Sequence, residues 1–563
     1  MIDANGSGAQ EGAAPGAAPA GGGDAMPLPW AGAFGDGYGF VGAAPPPSAA
    51  SVAALLTGTR WTGIAPDSGR TTVTYSFDTA DSQFTYSGAD WSSSFQGTLQ
   101  PFSAADRELT RQVLDSIEAV ANVRFVEVPD DGQQVGVVRY GYSALVSSME
   151  YAGYAFFPSP DPSAGDVWIG ASYAAAAWDF FRPNVLLHET LHALGLADTA
   201  GSGLTVQENI IPNTVMSYSP VAGAPRGYMA AYPREPMPLD VAALQWLYGA
   251  PATNAGDTRY DLAQAGYRTN FRTIWDSAGT DVLDASGVRT SVSLDLNDGA
   301  RSKVGVSIGV QGNFGGTNVQ NSAYTATLAI AAGALIEDAI GSPYADLIVG
   351  NAAPNRLTGG AGNDTLRGGA GDDVLAGQAG SDQLDGGLGE DVAVYDGLRA
   401  GYTITRAGDG YAVRDQQGAV DTLLGIERVA FADAWVALDL DDHAGEAARL
   451  VGAVLGPAAV RQRPYVAVGI SLLDDGMSVA QVAQYALDYR LGPQASHQAV
   501  AQLLYANLHG GAVDATAIGQ YVSWLEQGLY SQAGLVQLAA HSPQNGANID
   551  LVGLAAGGLD YAA

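Results

Sequence analysis

The residues whose types and spacing could do chemistry lie in Val185-Leu-Leu-His188-Glu189-Thr-Leu-His192-Ala-Leu-Gly195-Leu-Ala-Asp198. Two histidines four apart on a helix share one face, a turn above one another. Their imidazoles can hold one Zn²⁺. Glu189 points about 100° round the helix from His188, since about 3.6 residues make a turn. Its carboxylate therefore falls beside the metal as a base. The pattern is H-E-x-x-H, and the chemistry it offers is hydrolysis by a metal-activated water. Gly195 lets the helix stop and the chain double back, because glycine takes positive φ without strain. Asp198, three residues on, can return as a third ligand, which gives H-E-x-x-H-x-x-G-x-x-D. Asn213-Thr-Val-Met216-Ser-Tyr218 supplies a methionine turn, with Met216 packed under the metal and not bound to it.

At these residues the sequence resembles the metzincin zinc proteases and, within them, the serralysins, the repeat-bearing secreted proteases of bacteria. The resemblance implies a zinc endopeptidase with an α+β catalytic domain. In that family the tyrosine after the methionine turn reaches the zinc or swings away to stabilise the oxyanion, and Tyr218 inherits that role by resemblance. The departure is Asp198, which stands where histidine is usual. The other histidines, His443, His497, His509 and His541, lie far outside this region. The third ligand is therefore a carboxylate or a water. Asp198 has the right spacing, and Glu208 is the alternative. An anionic third ligand lowers the net charge at zinc, so its pull on the bound water is expected to weaken.

The chain has 563 residues, room for several domains. Its 25 Lys+Arg against 58 Asp+Glu give a net charge of −33. Such a field argues against nucleic acid and anionic membrane as partners and suits cations. With zero cysteines there is neither a disulfide nor a cysteine metal site. Met1-Ile-Asp-Ala-Asn lacks the basic region and apolar core of a secretory signal, and no apolar run is long enough to span a bilayer. Export, if it occurs, uses a route that ignores the N-terminus.

Taken in order, residues 1–47 are mostly Gly, Ala and Pro and read as a disordered leader or pro-segment. A catalytic domain over 48–255 begins with a short helix in Ser48 to Leu56. Val73, Tyr75 and Phe77 alternate as in a half-buried strand. Ser103, with Asp106 three residues on, reads as a helix start, and Leu109, Val113, Ile117 and Val120 mark that helix's apolar face. Phe125 to Val128, Val135 to Tyr140 and Asp166 to Ile169 read as strands. By resemblance, the strand before the zinc helix edges the cleft and pairs with extended substrate; core packing explains Trp168 equally. Pro238 to Tyr248 reads as the closing helix.

From 256 to 440 the grammar changes. Thr273-Ile-Trp-Asp276 and Gly279-Thr-Asp281-Val-Leu-Asp284 resemble the opening of the serralysin C-terminal domain. Asp346, Asn355, Asp364, Asp373, Asp382 and Asp391 then recur about nine residues apart, the nonapeptide period of a calcium β-roll. The fullest copies carry Gly359, Gly360 and Gly362 before Asp364, and Gly368, Gly369 and Gly371 before Asp373. Glycine turns whose carbonyls face inward, together with carboxylates, are hard oxygen ligands that select Ca²⁺. Leu357, Leu366, Leu375 and Leu384 hold the same period and would fill the interior. Strands around Tyr402 and Tyr411 flank Gly408-Asp-Gly410, a hairpin.

Residues 441–563 read as a helical module, with Leu473-Asp-Asp-Gly476 and Leu525-Glu-Gln-Gly528 marking a duplicated unit. It resembles the helical module that trails many repeat-bearing secreted bacterial proteins, and a role at the cell surface or in export is the expectation. The fold class expected is thus multidomain: an α+β metzincin-like protease domain, a parallel β-roll and a small all-α domain. The expected function is a secreted endopeptidase with one catalytic zinc and several structural calcium ions, acting on protein or peptide substrates. The resemblance further implies a C-terminal signal read by a type I secretion machinery. The rival is a calcium-dependent surface or scaffold protein whose protease domain has lapsed; Asp198 favours it and the intact Glu189 opposes it.

Overall fold

The computed structural model describes residues 42, 43, 50–62, 69–79, 82, 84, 94, 95, 97–131, 134–224, 226–313, 319–440, 443–511 and 514–561. The leader expected over 1–47 lies outside the described residues except for 42 and 43. The chain forms two compact units, one of residues 1–288 with 296–336 and the other of 289–295 with 337–563.

The first unit is built on strands β1 (Thr71–Phe77), β2 (Leu99–Gln100), β3 (Val123–Glu127), β4 (Val138–Ser143), β5 (Gly153–Ala155) and β6 (Val167–Gly170). Their order is β3-β1-β4-β6-β5, with β2 paired to β4. β1, β3, β4 and β6 run parallel, and β5 is antiparallel to β6. The alternation read in β1 predicts one wet face, yet every residue of the strand after Thr71 is buried. Its polar positions face loops rather than water: the hydroxyls of Ser76 and Thr74 accept the backbone N–H groups of Gly136 and Val137. The strand before the central helix, β6, does not edge the cleft as expected. Both its sides are taken, by β4 and β5, and the edge of this sheet is β5. Trp168 on β6 is fully buried, which is core packing.

Helix α1 (Ala104–Glu118) starts where Ser103 caps it, the hydroxyl accepting from the Asp106 amide. Helix α2 (Arg182–Ala193) carries both site histidines, and all twelve of its residues are buried. Six of the twelve, Arg182, Asn184, His188, Glu189, Thr190 and His192, are polar or charged, so they need internal partners. Arg182 at its start bonds Asp106 at the start of α1 (2.5 Å), and Thr190 meets the Tyr140 hydroxyl of β4 (3.1 Å). The helix ends as Gly195 takes a φ of 104°. A Cβ there would stand 2.3 Å from the Thr59 carbonyl oxygen, so both conformation and space require glycine. After a strand β7 (Arg226–Met229), helix α3 (Pro238–Tyr248) closes this part, with Tyr248 donating to the Leu194 carbonyl at the C-terminus of α2.

This unit does not stop at 255, where the composition changes. A hairpin of Ile308–Asn313 and Val319–Tyr324 adds to β7, and Arg272–Ile274, Leu328–Ile330 and Arg301–Ser302 form a small sheet. Arg301 donates to the side-chain oxygen of Asn213 (2.9 Å), which ties this later segment to the turn that carries Met216.

In the second unit the nonapeptides form a roll of two parallel sheets. Successive copies alternate between them, so pairing links residues 18 apart, Arg356 with Val374 and Thr365 with Gln383. Leu357, Leu366, Leu375 and Leu384 are buried inside, as their period predicts. Ser293–Asp295 covers one end of the second sheet by pairing with Leu347–Val349. At the other end Val420–Leu424 and Arg428–Phe431 continue the two sheets. A solenoid needs such atypical caps because a bare terminal repeat leaves its core and strand edges open. The predicted hairpin is present, Tyr402–Ala407 against Gly410–Asp415. Eight helices follow among the described residues, from His443 to Gly557, and a final strand Leu559–Tyr561 pairs with Ala434–Ala437. The duplicated unit is visible in it: Leu473 and Leu525 are buried in the last turns of their helices, and Gly476 and Gly528 each take positive φ.

Candidate metal centre and active site

On α2 the rings of His188 and His192 stand 4.7 Å apart. His188 Nδ1 bonds the Val215 carbonyl (2.9 Å) and His192 Nδ1 bonds the Leu196 carbonyl (2.8 Å). A carbonyl only accepts, so both Nδ1 atoms carry the proton and both Nε2 lone pairs point at the remaining space. Burial holds His188 below its ordinary pKa, which favours the neutral, ligating form. Asp198 Oδ1 lies 3.3 Å from His188 Nε2 and 3.4 Å from His192 Nε2. Four ligands on a tetrahedral Zn²⁺ at about 2.0–2.1 Å stand about 3.3 Å from one another. Both carboxylate-to-imidazole distances match that spacing, the three ligand atoms lie within 4.8 Å of one another, and among the described residues the buried His188 Nε2 has no hydrogen bond to satisfy it. Burial alone would raise the Asp198 carboxyl, but the adjoining imidazoles of His192 and His188 hold it well below the usual range.

Glu189 is wholly buried, and neither of its carboxylate oxygens has a hydrogen-bond partner. It lies against Gly153 of β5, where a Cβ would come within 2.6 Å of Glu189 Oε1. Met216 is fully buried in the same core as α2. Glu208 is not part of the cluster: its carboxylate bonds the amide and hydroxyl of Thr205. Gly153 and the carbonyls of Val215 and Leu196 escape sequence reasoning, because backbone contacts leave no residue-type signal.

The roll presents a second set of ligands. Asp364, Asp373, Asp382 and Asp391 each accept, through Oδ1, the amide of the residue 18 earlier, at 2.7–2.9 Å. Each Oδ2 is buried with no partner. Burial pushes the Asp364 carboxyl up to about 7 and the other three to about 6. A Cβ on Gly368 would lie 2.1 Å from Asp373 Oδ2 and 2.5 Å from the Gly386 carbonyl. On Gly386 it would lie 2.4 Å from Asp391 Oδ2 and 2.1 Å from the Gly425 carbonyl. Oxygens thus converge on the bare face of these glycines, a cradle suited to a hard cation. Gly425 lies beyond the repeat, as do Asp421 and Glu427, which accept the amides of Asp382 and Asp391. The sequence period misses them because the intervening hairpin interrupts it.

Asp346 and Asn355 differ from the other four positions. Asp346 accepts from Val292 N, Ser342 N and Ser342 Oγ, and Asn355 Oδ1 accepts from Asn351 N. In the full copies Gly360 and Gly369 stand at the places of Ser342 and Asn351, with φ of 109° and 117°.

Parts of this chain are similar to known proteins. The family described as RTX calcium-binding nonapeptide repeat (4 copies) matches residues 340–375 and 358–393. Serralysin G of Dickeya chrysanthemi is 32% identical over 321 residues, 50% of this chain and 60% of that protein. Serralysin C of the same organism is 34% identical over 275 residues, 44% of this chain and 54% of that protein. Metalloprotease AprA of Pseudomonas entomophila (strain L48) is 30% identical over 332 residues, 54% of this chain and 63% of that protein. Over about half its length, the chain is similar to these serralysins and this metalloprotease. It spans 54–63% of the length of these three proteins.

Tyr218 is turned toward Asp198, its hydroxyl donating to Oδ1 at 2.7 Å. The tyrosine is thus placed to orient this carboxylate. Asp198→Ala is expected to lose zinc under dialysis that spares the parent, because two imidazoles alone rarely hold the ion. Glu208→Ala should retain it. Zinc content by elemental analysis checks both, and the reverse result would remove Asp198 from the ligand set.

Proposed function

We propose that this chain is a secreted zinc-dependent endopeptidase that cleaves extracellular proteins. The observation that carries the reading is the placement of His188, His192 and Asp198 at tetrahedral spacing, with the unpartnered Glu189 carboxylate on the same helix. When bound there, zinc would lower its water's pKa from about 15.7 towards about 7 and polarise the scissile carbonyl. Glu189 would serve as the base that takes a proton from the attacking water and passes it to the leaving amine. The antiparallel edge strand β5 offers backbone groups to an extended substrate, and β5 passes directly over Glu189 at Gly153. Tyr218, released from Asp198, is the phenol available to the oxyanion. The intact base and the formed ligand set favour this reading over a lapsed protease.

Calcium completes the roll in this proposal. Four of the six periodic positions, Asp364, Asp373, Asp382 and Asp391, hold an oxygen free for it, whereas Asp346 and Asn355 act as the roll's first cap. Export is assigned to a C-terminal signal read by a type I machinery, and attachment at the cell surface to the helical module. Among the described residues no helix is long and apolar enough to cross a membrane.

Casein hydrolysis that disappears with a zinc chelator and returns on adding zinc tests the reading. No hydrolysis in a zinc-loaded sample would leave the calcium scaffold as the better account, and hydrolysis indifferent to the chelator would remove zinc from the mechanism.

A further inference from the structure

Asp240, on α3, has no part in the chemistry described so far. It is wholly buried, and among the described residues no cation pairs with it: its carboxylate accepts from Thr214 Oγ1 (2.6 Å), Val215 N (2.8 Å) and Met237 N (2.9 Å). Thr214 Oγ1 in turn accepts from Met216 N (3.1 Å). One carboxylate therefore holds Thr214 and Val215, directly before Met216 in the turn. The same residue whose amide Asp240 holds, Val215, offers its carbonyl to His188 Nδ1.

We propose that Asp240 is a positioning residue of the metal centre, which sets the His188 imidazole through the backbone of Val215. A buried, unpaired carboxylate is a costly way to hold a turn, and burial pushes its carboxyl up to about 6. A neutral side chain of the same shape would brace the fold at lower cost. The carboxylate differs from that side chain in two respects. It accepts three donors at once, which fixes Thr214 and Val215 together. It also places negative charge behind the hydrogen bond that keeps His188 Nε2 a lone pair, and partners of this kind raise ligand basicity.

The inference rests on the zinc reading, and the experiment separates the two. Zinc affinity is measured by competition with a chromogenic chelator on the full chain, alongside thermal melting of the zinc-free protein. Asp240→Asn should weaken zinc binding about 10–100-fold, the usual effect of removing an outer partner of a ligating histidine. The zinc-free melting point should stay level or rise, because a buried charge has gone. A merely structural role predicts the opposite pair: lower zinc-free stability and unchanged affinity in what remains folded. Thr214→Val, which removes one of three donors, should weaken zinc in the same direction by less. Should Asp240→Asn fail to fold, Thr214→Val carries the test, and unchanged affinity there overturns the proposal. A parent that binds no zinc overturns the metal centre itself.

Discussion

Glu189→Ala is expected to lower the rate of peptide hydrolysis by about 10²–10⁴, the usual contribution of a positioned base, while zinc stays bound. The geometry separates the two effects. Glu189 shares no hydrogen bond with His188, His192 or Asp198, whose positions are set by the Val215 and Leu196 carbonyls and by Tyr218. Removing a buried carboxylate without partners leaves no orphaned donor behind. The fold should therefore survive, and the small space opened faces Gly153, where there is no side chain to collapse. Glu189→Gln keeps the shape and removes only the base, so it should match the alanine variant within a few-fold. Turnover of a quenched peptide, with zinc content measured on the same samples, checks the pair. Near-full hydrolysis with zinc retained would remove Glu189 from the mechanism.

The part of the site that repeats a spacing in residue types is legible in the sequence. The two histidines, Glu189, Gly195 and Asp198 lie on one helix and its exit, and helical geometry alone brings them together. The roll is legible for the same reason, since a nine-residue period places Leu357 and its successors on one side. Spacing fails where the chain supplies backbone instead of side chains. Val215, Leu196 and Gly153 position the ligands and the base by a carbonyl or by a missing Cβ, and nothing in their residue type announces it. It fails again where the partner is distant along the chain: Asp240 lies 25 residues from the amide it holds, and Asp421 lies 39 from Asp382. The strand expected at the cleft edge is displaced by the short β5, three residues with a weak pattern of their own. Periodicity also counts Asp346 and Asn355 as equals of the later aspartates. Serine and asparagine at 342 and 351 turn their amides onto those side chains, and the oxygen that calcium would need is already bonded.

Calcium-free protein is expected to lose roll stability as pH rises from about 4 to about 7, and calcium should reverse that slope. In the folded roll the carboxyls of Asp373, Asp382 and Asp391 are pushed up to about 6 and that of Asp364 to about 7. An unfolded aspartate sits near 3.9. Between these values the folded state binds more protons than the unfolded one, so stability is full below about 4 and falls as pH climbs through 6 to 7. Protons here neutralise the buried Oδ2 atoms that have no partner. The loss is on the order of 1 kcal/mol for each carboxylate once solvent screening is allowed for. Calcium needs the same oxygens ionised, so with millimolar-range calcium, the working range of extracellular modules, stability should rise over that pH window and fall in acid. The two melting curves therefore cross. A variant isolates the roll. Asp364→Asn should flatten the calcium-free slope and weaken the calcium response, while an asparagine at the already satisfied Asp346 should change the calcium response far less. Far-ultraviolet circular dichroism melts at half-unit pH steps, with and without calcium, measure all of this. A calcium-free melting point that is level or rising between pH 4 and 7 would mean that the four buried carboxylates do not govern the roll.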